Sequence, residues 1–243
     1  MDWRSITVDG AGGIKIKGSH GFTPWASNLF PYRKGGSGKY DNAPALKIVY
    51  NDRIFTSVET AYQAAKALFY DQRIRAKFPG SSTSSSTNLF SLFPPDMGPM
   101  DAKSAAGKKG FASAIHKILG FAPYVSLGAT KKRAGEIYDE ILKKDEINWY
   151  GASIGIMSSL IDQKFSDQNP EFRDLLLSTG TANIYEQKFR GGSLWEKGGS
   201  PSGFGVLGDL IMARRKSLRE REGPRYGEPV YKKMRIASLH LFK

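Results

Sequence analysis

Glu59, Gln63 and Lys66 fall at i, i+4 and i+7 of one segment, so a helix there would carry all three on one face. Tyr62, at i+3, competes with Gln63 for the middle place. A carboxylate and an amine directed into one pocket could act as an acid/base group and a nucleophile, the amine needing burial to hold it neutral. The same pair two turns apart could equally be a solvated ion pair. Ala61, Ala64, Ala65 and Ala67 are small enough to let a ligand or another element come close.

Two further sets carry chemistry. Lys164 precedes Phe165 at the end of an apolar helical pattern, where a cation is favoured near a helix C-terminus and a catalytic amine is the sharper reading. Glu186 closes the strand-like TANIYE, with Trp195 nine residues on; a strand end can present a carboxylate to a site, and an indole can stack on a flat base or sugar. Between Gly191 and Gly205 the chain is Gly-rich and could offer backbone N–H groups to a phosphate, but it lacks the Lys-Ser/Thr of a P-loop.

The elements that would position these residues are legible in part. ITV and IKIK within residues 1–20 suggest an edge hairpin, and ALKIVYNDRIF reads as two strands about an Asn51–Asp52 turn. Thr56 or Ser57 can cap a helix running from Val58 towards Lys77 and stopping before Pro79-Gly80. Residues 80–100 look like a loop or insertion, and 101–147 like one or two helices. Trp149, Ile154, Met157, Leu160, Ile161 and Phe165 recur at helical spacing. Pro170 opens a helix that Gly180 closes, and VLGDLIMARRKSLRE forms the last one. The sum is a mostly helical, compact α+β single domain with a small sheet, its body over 21–219 between an N-terminal extension over 1–20 and a basic extension over 220–243.

Composition narrows the classes. The 243-residue chain has no cysteine, which removes disulfides, thiol nucleophiles and zinc–thiolate sites. Its three histidines, His20, His116 and His240, are scattered, so neither a metal nor another cofactor is expected. Neither an N-terminal leader pattern nor a long apolar run is visible, which points to a cytoplasmic or nuclear protein without a membrane partner. Net charge is +13, and residues 214–243 hold ten Lys/Arg against three Glu. That segment is either a solvated tail or a patch for DNA, RNA or a phosphorylated ligand.

The order of the motifs is more specific than any one of them. W-A-S-N-L-F-P at 25–31, S-V-E-T-A-Y-Q-A-A-K at 57–66, Q-K-F at 163–165, L-L-L-S-T-G at 175–180, Y-E at 185–186, Trp195 and L-G-D-L-I-M-A-R-R at 207–215 follow one another over residues 22–219. This succession resembles the NADAR/YbiA-like N-glycosidase family. The resemblance implies that family's compact α+β fold and hydrolysis of ribose–nitrogen bonds, with removal of ADP-ribose from guanine in nucleotides or nucleic acid preferred. The alternatives are an N-glycosidase of riboflavin-pathway intermediates and a non-catalytic module that binds ADP-ribose or nucleic acid.

Carried over by position, the resemblance implies catalytic roles for Glu59, Lys66, Glu186 and Lys164. The carboxylate is Glu59 or Glu186; Lys66 is the expected Schiff-base amine, with Lys164 as its competitor. Substrate contacts are implied for Ser27, Asn28, Phe30, Tyr62, Gln63, Trp195, Gly205 and Arg214, the last with Arg215 on a diphosphate. Departures from the family pattern are Leu29 for an aromatic, Thr60 for His, Gly191 or Gly192 for an acid, Glu196 for Gly and Gly205 for Asn. They suggest altered specificity.

Overall fold

A computed structural model describes residues 2–16, 23–32, 39–40, 42–77, 88–118, 132, 135–143, 146–186, 194–195, 197–198 and 203–222. The α+β class expected from the sequence holds: long helices dominate and the strands form two-stranded sheets. The chain divides into two compact units, Met1–Lys47 with Ile161–Lys243, and Ile48–Leu160.

In the first unit, β1 (Ile14–Ile16) runs parallel to β4 (Ile184–Glu186), with Ile16 in register with Glu186. The expected N-terminal hairpin survives as one antiparallel bridge, Val8 to Ile14, closed by the Asp9 N–H on the Gly13 carbonyl at 2.8 Å. Asp9 fixes that turn: its carboxylate accepts the Ala11 and Gly13 N–H groups and the Tyr185 hydroxyl. These donors hold the Asp9 carboxyl below its ordinary range, while burial and the neighbouring carboxylate push the Tyr185 phenol up to about 12.

Helix α5 (Pro170–Ser178) opens at Pro170, and Gly180 lies in the left-handed region at φ 61°, as read from the sequence. Phe172 of this helix meets Trp3 and Phe30 at ring-centroid distances of 5.5 and 4.9 Å. Asn169 ties the helix start to residue 47, accepting the Lys47 N–H and donating to its carbonyl. The last helix, α6 (Val206–Glu222), lies against β4, and Gly208 makes that approach possible.

In the second unit, β2 (Ile48–Tyr50) and β3 (Arg53–Phe55) pair antiparallel about Asn51 and Asp52, both at positive φ. That left-handed pair is what a tight two-residue hairpin demands, and Asn and Asp tolerate it. Helix α1 spans Val58–Lys77, the range its pattern predicts. Of the two capping candidates Ser57 is the cap, its Oγ accepting the Thr60 N–H at 3.1 Å. Thr60 Oγ1 donates to the Met97 carbonyl, so its contact with Ser57 Oγ at 2.7 Å must take the Ser57 proton. Replacing Ser57 by Ala should therefore cost about 1 kcal/mol or somewhat more, read as a lower urea midpoint at unchanged slope.

The loop expected over 80–100 is corrected where it is described. Asn88 accepts the Ser91 N–H at 2.7 Å and caps a 3-10 turn, Leu89–Leu92. Leu89, Phe90 and Phe93 are buried, and the apolar side chains override the weak local propensity of the stretch. Helices α2 (Pro99–Ala105) and α3 (Lys108–Ile118) and a π-helical stretch, Tyr138–Lys143, follow.

Helix α4 (Glu146–Lys164) buries Trp149, Met157, Leu160 and Ile161 as its spacing predicts, whereas Ile154 lies outward, 37% exposed. Tyr62, Phe69 and Tyr70 gather about Trp149 at 5.3 to 6.0 Å. Among the described residues no helix is long and apolar enough to cross a membrane.

Candidate active site

Lys164 is the most unusual of the predicted residues. It ends α4, yet its side chain is fully buried, so the solvated helix-end cation is not what this position holds. Its Nζ donates to the Ser27 carbonyl at 2.6 Å. The aromatic rings of Phe165 and Phe172 lie 5.5 and 6.0 Å away. Burial pushes the amine down to about 7, opposed by the attraction of Glu186, which favours the charged form.

Ser27 can serve as acceptor because its own loop is fixed: its N–H bonds the Pro24 carbonyl, and its Oγ accepts the Leu29 N–H at 3.1 Å. Ser27 and Asn28 are both buried. Glu186 sits half-buried at the end of β4, held in register by Ile16. The first unit thus brings together three predicted residues, Ser27, Lys164 and Glu186.

The second unit brings together Glu59 and Gln63. The Gln63 Nε2 donates to Glu59 Oε1 at 2.7 Å, and both side chains are buried. The cation that meets this carboxylate is Lys103 of α2, with Nζ 3.8 Å from the same oxygen, rather than Lys66. Lys103 went unnoticed because it lies 44 residues beyond Glu59, in a stretch whose sequence carries no motif. Lys66 has its ammonium 5.9 and 5.8 Å from the ring centres of Tyr70 and Phe111.

Several residues expected to touch substrate have partners within the protein. Phe30 is a core side chain, 1% exposed and enclosed by Trp3, Tyr40 and Phe172. Tyr62 is likewise buried against Trp149. Arg214 directs Nε and Nη2 to the Phe165 carbonyl and stands 3.5 Å from Asp162. Arg215 is buried, donating to Thr179 Oγ1 and the Ala182 carbonyl. Both guanidiniums hold the fold together.

The helix α6 N-terminus is also occupied. The Val206 and Leu207 N–H groups bond the carbonyls of Leu194 and Trp195, so these two donors are not offered to a phosphate. Gly205 takes φ 75°, a left-handed conformation that explains glycine there, and its carbonyl accepts the Gly208 N–H. Trp195 is half-buried. Thr60 is buried in the Ser57–Met97 network.

Gly191, Gly192, Glu196 and the basic segment from residue 223 lie outside the described residues, as does the helix stop at Pro79-Gly80. Among the described residues no group of three His, Cys, Asp or Glu is placed to hold a metal ion. Comparison with family models, with characterised proteins and with solved structures finds no match to this chain.

Proposed function

We propose that this chain is an N-glycosidase that cleaves the ribose–nitrogen bond of a nucleotide-derived substrate, removing ADP-ribose from guanine. The ordered motifs support the class, and the observation that carries the mechanism is the buried Lys164 amine, pushed down to about 7 beside Glu186. A neutral amine is a nucleophile at neutral pH; an ammonium is not. In this reading Lys164, rather than Lys66, takes the Schiff-base role.

The chemistry follows in three balanced steps. The Nζ lone pair attacks the anomeric carbon as the bond to the base nitrogen breaks, and that nitrogen leaves with a proton. The ring oxygen then takes a proton as the ring opens, and the Nζ–C bond becomes an iminium. Water adds to that carbon, the Nζ–C bond breaks, and free sugar and free amine are restored. Positive charge develops on the anomeric carbon in the first step and on the iminium afterwards. The Glu186 carboxylate stabilises both. Lys164 can hold its neutral form because burial opposes the charged one, and the Ser27 carbonyl fixes the direction of its N–H.

Incubating the full chain with an ADP-ribosylated guanine oligonucleotide and, separately, with a pyrimidine ribose-phosphate tests the reading. Release of ADP-ribose, detected by mass, is the expected result. Borohydride added during turnover of the ADP-ribosylated substrate should leave a reduced ADP-ribosyl adduct on Lys164. Cleavage of the pyrimidine substrate alone would move the activity to riboflavin-type intermediates. Cleavage of neither would sink the glycosidase proposal.

A further inference from the structure

Asp9 lies in the N-terminal stretch, before the motif-bearing body, yet it joins β1 to β4. Its Oδ1 accepts the Ala11 and Gly13 N–H groups at 2.9 and 2.8 Å, and its Oδ2 accepts the Tyr185 hydroxyl at 2.6 Å. Gly13 directly precedes β1, and Tyr185 is the middle residue of β4. One carboxylate therefore holds the entry of one strand and a side chain of the other. Gly13 leaves room for this meeting, since a Cβ built there would stand 2.9 Å from Asp9 Oδ2 and 3.1 Å from Tyr185 Cε1.

The sheet needs such a tie. β1 and β4 run parallel and share three residue pairs, the last of them Ile16 with Glu186. Two strands this short are marginal by themselves, and parallel pairing is slightly the weaker kind. Ile14, Ile16 and Ile184 are buried, but apolar burial has no direction and does not by itself set a register. A hydrogen bond has direction. Because side chains alternate along a strand, a slip of one residue would turn Glu186 to the opposite face, away from the amine it attracts.

We infer that Asp9 is a positioning residue: by holding Gly13 and Tyr185 it sets the register of β1 against β4, and with it the approach of the Glu186 carboxylate to the Lys164 amine. All of these residues belong to the first unit. A part in cleavage rests on the glycosidase reading; the placement of Glu186 does not.

NMR titration of the full chain, with its lysines labelled with carbon-13 at Cε, reads the Lys164 amine without turnover. The resonance missing from Lys164→Met identifies it. Glu186 favours the ammonium, so a displaced Glu186 lets the proton leave at lower pH. Asp9→Ala should make Lys164 titrate about one pH unit lower, and Tyr185→Phe should act in the same direction. Asp9→Asn should stay close to the unaltered chain. Its amide oxygen can accept the two N–H groups, and its amide nitrogen can donate to the Tyr185 oxygen. In a Glu186→Gln background Asp9→Ala should move nothing further, because the charge it positions is gone.

The inference is overturned if Lys164 titrates unchanged in both Asp9→Ala and Tyr185→Phe, whatever their melting temperatures. It is also overturned if Asp9→Asn shifts Lys164 as far as Asp9→Ala, or if the shift persists without the Glu186 charge. Tyr185→Phe keeps the ring and deletes one hydroxyl, so it reports even if Asp9→Ala fails to fold. These shifts without cleavage of the ADP-ribosylated oligonucleotide would leave the positioning role standing and remove the proposed activity. Cleavage with an unmoved Lys164 titration would do the reverse.

Discussion

Lys164→Met should lower turnover about a thousandfold or more while the chain stays folded, because methionine keeps an apolar stem and deletes the amine. The borohydride adduct should vanish with it. Full turnover by this variant would end the covalent mechanism. In the unaltered chain, turnover should rise as pH increases through about 7, where the buried amine loses its proton.

Stability provides an independent readout with a definite sign. The folded-state value of about 7 lies below the ordinary 10.5, so between them the unfolded chain binds a proton that the folded chain has released. Stability contributed by this residue therefore rises with pH across that window and is lowest below it, where burial opposes the charge in full. Lys164→Met removes the dependence, and the variant should gain relative to the original chain as pH falls from 10.5 to about 7, the gain levelling off below that. A flat difference between the two across this range would contradict the burial.

The second large effect concerns Gly208. A Cβ built there would stand 2.2 Å from the Ile184 carbonyl oxygen and 2.9 Å from the Tyr185 Cα, both backbone atoms of β4 that cannot swing aside. Gly208→Ala gains up to about 1 kcal/mol of helix propensity. The overlap costs about 3 kcal/mol or more, so the clash decides the sign. Gly151 and Gly155 are the controls: both lie within α4 and a Cβ at either meets nothing within 4 Å. Alanine at those two positions should raise the melting temperature, and at Gly208 should lower it by several degrees. Since β4 carries Glu186 and adjoins α6 at this glycine, turnover should fall with it.

What was legible in the sequence follows physical lines. The start of helix α1 and its course to Lys77 could be read because its cap, its small residues and its period agree. The β2–β3 turn was legible because two residues that tolerate positive φ fall between two β-rich runs. The helical turns after residue 88 were hidden, since their order comes from buried Leu89, Phe90 and Phe93 rather than from any local preference. Candidate residues were found by type, but their surroundings were not. No spacing rule shows that Lys164 is wholly enclosed and Lys66 faces two rings, or that Lys103 rather than Lys66 meets Glu59. These depend on contacts between residues far apart along the chain.

The buried and paired cations bear on how this chain would behave near a polyanion. Of the charges behind the formal +13, Lys164 and Arg215 lie inside the protein, Arg214 is turned to a carbonyl, and Arg173 and Arg221 share Asp167. Such groups displace few condensed counterions from a phosphate backbone. The ionic-strength slope of any nucleic-acid association would count the cations that reach phosphate, and so fall short of the number of basic residues.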